Sequence, residues 1–306
     1  MSTNGPFLSP ATSVANQQPK RFGIVAGWGR YPELVAETLQ GQGHEVYIAA
    51  LRNHANPELA DYAKKMQWFG IGKLGGQQKF FQANSVDVVL LAGKLFKTKI
   101  LYSRLGWLRH LPDVECLRAV GSNIVLKKKD TRDDTILTAI VQSFLNRGIH
   151  IVGGTELAPS LLAERGLLTK RQPSERVIRD LQYGWRIAKQ SGLMDIGQSV
   201  TVRDGTALAI EAIEGTDGCI ERTGTLCPRG GWSLVKVAKP NQDPRFDLPT
   251  IGLQTVENVH RCGGNAIAIE AHQTIIVDRE VVLNYANRHG ITIVSWAPSD
   301  VPNAEE

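Results

Sequence analysis

The chain has 306 residues, 42% of them apolar and 21% charged, with a net charge of +5 and a pI near 9.0. That balance excludes an intrinsically disordered chain and allows two domains of ordinary size, each with its own core. No run approaches the roughly 18 consecutive apolar residues of a membrane span, and no stripe of Lys and Arg interleaved with aromatics calls for nucleic acid. The mild basicity suits an anionic substrate or an anionic membrane surface.

The first 20 residues are rich in Ser, Pro, Asn, Gln and Ala. They lack the basic start and apolar centre of a secretory signal and read as a disordered tail. Order begins at Arg21. FGIVAG (residues 22–27) is a short apolar run ending in glycine, the mark of a buried strand. Pro32 suits the first turn of the helix that follows, and Gly41 or Gly43 its end. Strands are predicted at Glu45–Leu51, Gln67–Ile71 and Val86–Lys94, with helices at Pro57–Met66 and Gly75–Asn84. This alternation predicts a Rossmann-like parallel sheet with helices on both faces, spanning residues 21–168.

The clearest helix starts near Asp130. Ile136, Leu137, Ile140, Val141, Phe144 and Leu145 repeat at helical spacing, and Asp133 and Asp134 suit its positive end. IHIVGG (149–154) is a returning strand, and Leu157–Gly166 a short helix or turn. Thr169–Pro173 reads as a linker.

A second α/β domain with a mixed sheet is predicted over residues 174–298. Ser174 caps a long helix, and Asp204-Gly205 turns a hairpin. Leu234–Ala238, NAIAIEA (265–271), TIIVD (274–278) and ITIVSW (291–296) are strands, and Thr255–Cys262 and Arg279–His289 are helices. The last six residues, VPNAEE, form a tail.

Cys116, Cys219, Cys227 and Cys262 form no C-x-x-C pair, so neither a disulfide framework nor structural zinc is indicated. A reducing compartment fits. Cys219 has no neighbouring base and reads as a small buried thiol. His260 and His272 read as packing or surface residues.

Three segments offer chemistry. Gly27-Trp28-Gly29-Arg30-Tyr31-Pro32 sits between a strand and a helix, where a phosphate loop would be, with Gly27 and Gly29 open to a ligand. Pro32 replaces the third glycine, and Leu51, Arg52 and Asn53 stand where a dinucleotide fold wants an acidic residue for the ribose. A plain tight turn explains the same residues. Gly93-Lys94 ends a buried strand, where open α/β sheets bind ligands; Lys94 reads as a substrate contact or a solvated lysine.

The second segment is Glu214-Gly215-Thr216-Asp217. Two carboxylates flank a sharp turn and a hydroxyl, a plausible oxygen cage for Mg²⁺, with Mn²⁺ as the alternative. Asp217 as a helix cap is the structural alternative. Arg222 follows five residues later and is not paired with Asp217; it and Thr216 read as substrate contacts. The third segment is Lys239–Pro249, KPNQDPRFDLP, stiffened by three prolines. Lys236 and Lys239 are placed to neutralise phosphate, with Gln242 and Arg245 as further substrate contacts. Asp243 or Asp247 would hold metal or orient a water.

At these residues the chain resembles the LpxI family of UDP-2,3-diacylglucosamine pyrophosphatases. The matching stretches are GIVAGWGRYPELVA, DIGQSVTVRDGTALAIEAIEGTDGCIERTG, LVKVAKPNQDPRFDLPTIGLQTVE and IAIEAHQTIIVDREVVLNYANRHGITIV, covering Arg21 to Trp296. The resemblance implies a cytoplasmic enzyme of lipid A biosynthesis. It would hydrolyse UDP-2,3-diacylglucosamine to 2,3-diacylglucosamine 1-phosphate (lipid X) and UMP with Mg²⁺. It also implies two domains joined by a short linker, lipid in the C-terminal one, and an essential aspartate there, at Asp243 or Asp247. Glu214, Asp217 and Asp243 would hold the metal. A diacylated substrate implies loose attachment to the inner membrane surface, and the sequence is compatible with an oligomer. Two other classes are weighed against this: an NADP-dependent oxidoreductase, suggested by the N-terminal loop and Arg52, and a non-catalytic nucleotide-sugar or lipid-binding protein.

Overall fold

A computed structural model describes residues 20–93, 111–119, 133–240 and 248–302. The first domain is the predicted parallel sheet. Strands β1 (Arg21–Ala26), β2 (Glu45–Leu51), β3 (Lys65–Phe69), β4 (Val88–Ala92) and β5 (His150–Val152) lie in the order β3-β2-β1-β4-β5, all parallel. The two-residue period of a strand divides β1 between two cores. Phe22, Ile24 and Ala26 pack with Val35 and Leu39 of helix α1 (Tyr31–Gly41). Val25 faces the other way, toward Phe81 of α2 (Leu74–Ala83) and Phe144 of α3 (Asp133–Leu145).

The helix predicted over Pro57–Met66 is shorter and tighter than expected. Pro57–Tyr62 is a 3₁₀ turn, capped by Asn56 through the Glu58 N–H at 3.2 Å, and the chain then extends into β3. Pairing Met66 with Ile48 and Trp68 with Ala50 on the sheet prevails over the weak helical pattern of this segment.

The second domain is built on a six-stranded mixed sheet, ordered β6-β13-β11-β9-β7-β8. Its centre is parallel: β9 (Trp232–Lys236), β11 (Gly264–Glu270) and β13 (Thr292–Trp296). The predicted hairpin, β7 (Ser199–Arg203) and β8 (Thr206–Ile210), joins β9 antiparallel, and the short β6 (Gly166–Leu167) joins β13 antiparallel. A second, two-stranded sheet pairs β10 (Thr250–Ile251) with β12 (Ile275–Ile276).

Helix α4 (Glu175–Leu193) covers one face and buries Val177, Leu181, Trp185 and Ala188 against Val200, Val202 and Val235. Gly184 permits this approach, since a Cβ there would lie 2.8 Å from Val235 Cγ2 and 2.9 Å from Val202 Cγ2. The Ser174 hydroxyl caps the helix as expected, accepting from the Val177 N–H at 3.4 Å. The buried Asp180 carboxylate accepts the N–H groups of Asp204 and Gly205, tying the hairpin turn to α4. Helices α5 (Gly215–Leu226), α6 (Leu253–Arg261) and α7 (Arg279–Arg288) cover the other face, around Trp232, Leu234, Ile267 and Ile293.

Residues 168–171, read from sequence as leading into and forming a linker, are bonded into the second domain. The Leu168 N–H donates to Ile293 C=O, Thr169 Oγ1 accepts from Ile293 N–H, Lys170 N–H donates to Asn287, and the Arg171 side chain donates to Gly290 C=O. Among the described residues no helix is long and apolar enough to cross a membrane.

Candidate functional site

The C-terminal ends of β9 and β11 and the start of α5 meet at one edge of the second sheet. β9 alternates: Trp232 and Leu234 enter the core beneath α5, α6 and α7, and Lys236 is the next residue on that face. There a lysine replaces an apolar residue, and it is only 6% exposed. Its ammonium donates to Thr216 Oγ1 at 3.1 Å and to the Thr250 carbonyl at 2.9 Å. The Thr216 hydroxyl donates in turn to Glu211 Oε1 at 3.2 Å and lies 3.3 Å from Ser199 Oγ. Lysine, hydroxyl and carboxylate thus form a relay from three separate elements.

Glu211 is buried, and its Oε2 has no hydrogen-bond partner among the described residues. A buried carboxylate oxygen left without a donor is costly unless a proton, a cation or a ligand group meets it. Glu211 had no role in the sequence reading. The available signal was its place: the first residue after β8, three before Glu214.

The EGTD segment is not an isolated turn but the start of a twelve-residue helix, with Glu214 at its N-cap and Asp217 in its first turn. The Glu214 carboxylate pairs with Arg222, whose guanidinium also donates to Ile210 C=O at 2.8 Å. Its own backbone N–H and then Arg222 hold the Glu214 carboxyl below the ordinary range. Asp217 Oδ1 accepts from Asn258 Nδ2 at 3.0 Å. Thr216 and Lys236 are therefore brought together, whereas Arg222 is joined to Glu214 and Lys239 to Asp195 at 2.7 Å. Gln242, Asp243, Arg245 and Asp247 lie outside the described residues.

Glu211, Glu214 and Asp217 offer hard oxygen donors of the kind Mg²⁺ and Mn²⁺ take, and one Glu211 oxygen has no hydrogen-bond donor among the described residues. Among the described residues no three carboxylate, histidine or cysteine side chains converge, so a complete set would need a further carboxylate such as Asp243. Cys219 is fully buried and its thiol is pushed up to about 12, first by burial, which fits the packing role read from sequence.

On the opposite face of the same edge, Lys189 of α4 reaches Glu270 at the end of β11, with Nζ 2.7 Å and 2.6 Å from its two oxygens. Neither residue stood out in the sequence. NAIAIE reads as an apolar run that happens to end in an acid, and Lys189 sits 81 positions away.

In the first domain, strand order reverses between β1 and β4, and the crevice at such a switch point is where open α/β sheets take ligands. Gly27 N–H donates to Ala92 C=O at 2.7 Å, and Gly29 has φ +109°. Gly93 has φ +93°, and a Cβ there would meet Gly27 C, Pro32 Cγ and Trp28 O at 2.8–2.9 Å. The backbone conformation therefore calls for glycine at residues 29 and 93, while Gly27 ties the loop to β4 through its N–H. Arg30 points away to carboxylates: Glu33 at 2.7 Å, Glu37 at 3.2 Å and, across the domain boundary, Asp278 at 3.4 Å. The hydrogen bond to Glu33 is the chief cause of its raised pKa. Lys94 lies outside the described residues.

Comparison with known proteins matches the LpxI N-terminal domain to residues 21–161 and the LpxI C-terminal domain to residues 164–294. A protein of Caulobacter vibrioides described as UDP-2,3-diacylglucosamine pyrophosphatase LpxI is 32% identical over 290 residues, covering 92% of this chain and 100% of that protein.

Proposed function

The chain belongs to the LpxI family, and on that premise we propose that it hydrolyses the pyrophosphate bond of UDP-2,3-diacylglucosamine, giving 2,3-diacylglucosamine 1-phosphate and UMP. The observation that carries this reading is the match along both domains to a relative with that named activity.

The chemistry asks for neutralised phosphate charge and a water aimed at phosphorus. Lys236 and Lys239 stand on either side of the exit from β9 and supply positive charge there. The N-terminus of α5, with Thr216 in its first turn, adds outward N–H groups and a favourable dipole. Asp243 or Asp247 orients the water as general base. Glu214, Asp217 and Asp243 are the residues that would hold Mg²⁺ or Mn²⁺, and the ion would supply further charge neutralisation at the pyrophosphate; among the described residues Glu211 does not converge with Glu214 and Asp217. The glycine-shaped crevice of the first domain takes the uridine nucleotide.

Loose attachment to the inner membrane surface, with the protein otherwise cytoplasmic, is supported by apolar side chains around the site. Ile213 is fully exposed beside Glu211, and Leu193, Met194 and Ile196 are exposed in a segment that touches both Glu211 and Lys239.

The test is UMP release from UDP-2,3-diacylglucosamine with Mg²⁺, with and without EDTA. Release that EDTA abolishes supports the metal-assisted reaction. Well-folded protein that releases no UMP would remove the proposal, and EDTA-resistant release would remove the metal from it.

A further inference from the structure

Lys189 and Glu270 lie on the face of the second sheet turned away from Lys236, and both of their charged groups close on one backbone unit. The Ala238 N–H donates to Glu270 Oε2 at 2.8 Å, and the Ala238 carbonyl accepts from Lys189 Nζ at 3.0 Å. The ammonium at the same time bonds both Glu270 oxygens, at 2.7 and 2.6 Å, and lies 5.8 Å from the centre of the Trp185 ring. Glu270 is 4% exposed.

Ala238 is the second residue past β9, between Lys236 and Lys239. The backbone beside it is gripped too. Val237 N–H donates to Gln198 C=O at 3.0 Å, and a Cβ at Gly192 would lie 3.3 Å from Lys239 Cα.

We infer that Lys189 and Glu270 are positioning residues for the reaction proposed above: as one ion pair, with Glu270 buried and the Lys189 side chain 24% exposed, they hold both polar groups of Ala238 and so set where Lys236 and Lys239 stand. The role rests on that reading of the site. The physical argument is one of what such a pair can contribute. Two charges taken out of water recover little more in mutual attraction than they lose in hydration, so a well-packed apolar pair of the same size is about as stable. What the apolar pair cannot supply is the two directed hydrogen bonds that hold residue 238, one accepted from its N–H and one donated to its carbonyl. The pair therefore acts on geometry more than on stability, and the geometry it fixes is that of the β9 exit.

This difference gives the test. Glu270→Gln leaves the Lys189 ammonium without its carboxylate and is expected to lower the folded yield, so it discriminates poorly. The double variant Lys189→Met with Glu270→Met removes both charges at nearly constant volume and is expected to fold, as read by circular dichroism. Its Ala238 amide should lose protection from hydrogen exchange. Its kcat for UMP release should fall about 10- to 100-fold, with KM changed less than about threefold, the mark of misplaced reacting groups in an otherwise intact site. A folded double variant with an unprotected Ala238 amide and wild-type kcat would overturn the role. So would a folded double variant whose Ala238 amide stays protected, because the pair would then not be what holds it. Wild-type protein that releases no UMP would strike the proposed reaction itself, and this role with it.

Discussion

The two domains each end a parallel run of strands in a crevice, but they arm that edge differently. In the first domain the loop after β1 is made of backbone: Gly27 and the Trp28 carbonyl face Gly93, and the nearby cation Arg30 is bound to Glu33, Glu37 and Asp278. In the second, a lysine enters the core layer itself, and a hydroxyl and a carbonyl receive it. A cation already tied to three carboxylates adds little to phosphate neutralisation. A buried lysine beside a helix N-terminus adds much, because low local dielectric strengthens its field. The contrast assigns recognition by shape to the first domain and electrostatic work to the second.

The largest expected effect tests the second half of that contrast. Lys236→Met keeps the length of the stem and removes the charge; kcat for UMP release should fall about 100- to 1,000-fold, with circular dichroism unchanged. Near-normal turnover would break the comparison. Gly93→Ala tests the first half. At φ +93° and with backbone atoms 2.8–2.9 Å from the new Cβ, the loop must deform. Stability should drop by about 1–3 kcal/mol, read by urea denaturation, and UMP affinity should weaken in calorimetric titration.

Asp278→Ala removes the carboxylate that Arg30 meets across the domain boundary. Both side chains are more than a third exposed, at 35% and 38%, so the pair is solvent-screened. The change in stability should be within about 1 kcal/mol, smaller still in high salt, and UMP release should hardly change. A large loss of turnover would show that Arg30 takes part in the chemistry after all.

The smallest effect is a pH dependence within the second domain. Arg165 holds the Asp300 carboxyl below its ordinary value of 3.8. A depressed folded-state value means that ionisation favours the folded form. The stabilisation is present above the unfolded value and is lost as pH falls through the folded one. Asp300→Asn should therefore flatten the acid limb of a melting-temperature profile below about pH 4 and leave UMP release at neutral pH unchanged.

Much of this architecture is legible in the sequence because its strands are continuous apolar runs bounded by glycine, which only a sheet covered on both faces can accommodate. The long helix from Ser174 and the Asp204-Gly205 hairpin are equally plain. Helix α5 is not. GTDGCIERTGTL has three glycines and three threonines, poor helix formers, and it is helical because Cys219, Ile220 and Thr223 fit beneath it. At the site, the reading placed Thr216 and Lys236 as substrate contacts, and the structure joins them directly. Glu211 opens a charge-rich stretch of the sequence, but its role, like those of Lys189 and Glu270, depends on partners brought close only by the sheet. No local pattern announces that residue 189 will meet residue 270, or that Arg30 will meet Asp278.

The chain between the domains has a mechanical consequence. Leu162 bridges to Ile275, β6 is zipped to β13, and residues 168–171 are bonded to α7, β13 and the turn between them. A polar, proline-ended stretch that looks like a flexible joint is thus part of the second domain's rigid body. Any swing of one sheet against the other has to be absorbed upstream of Leu162, between β5 and that first bridge. A spin label at Leu167 will report the second domain's orientation rather than the joint's, and the pivot is to be sought at the Leu161–Leu162 junction, because Leu157 and Leu161 still pack against the first domain's core.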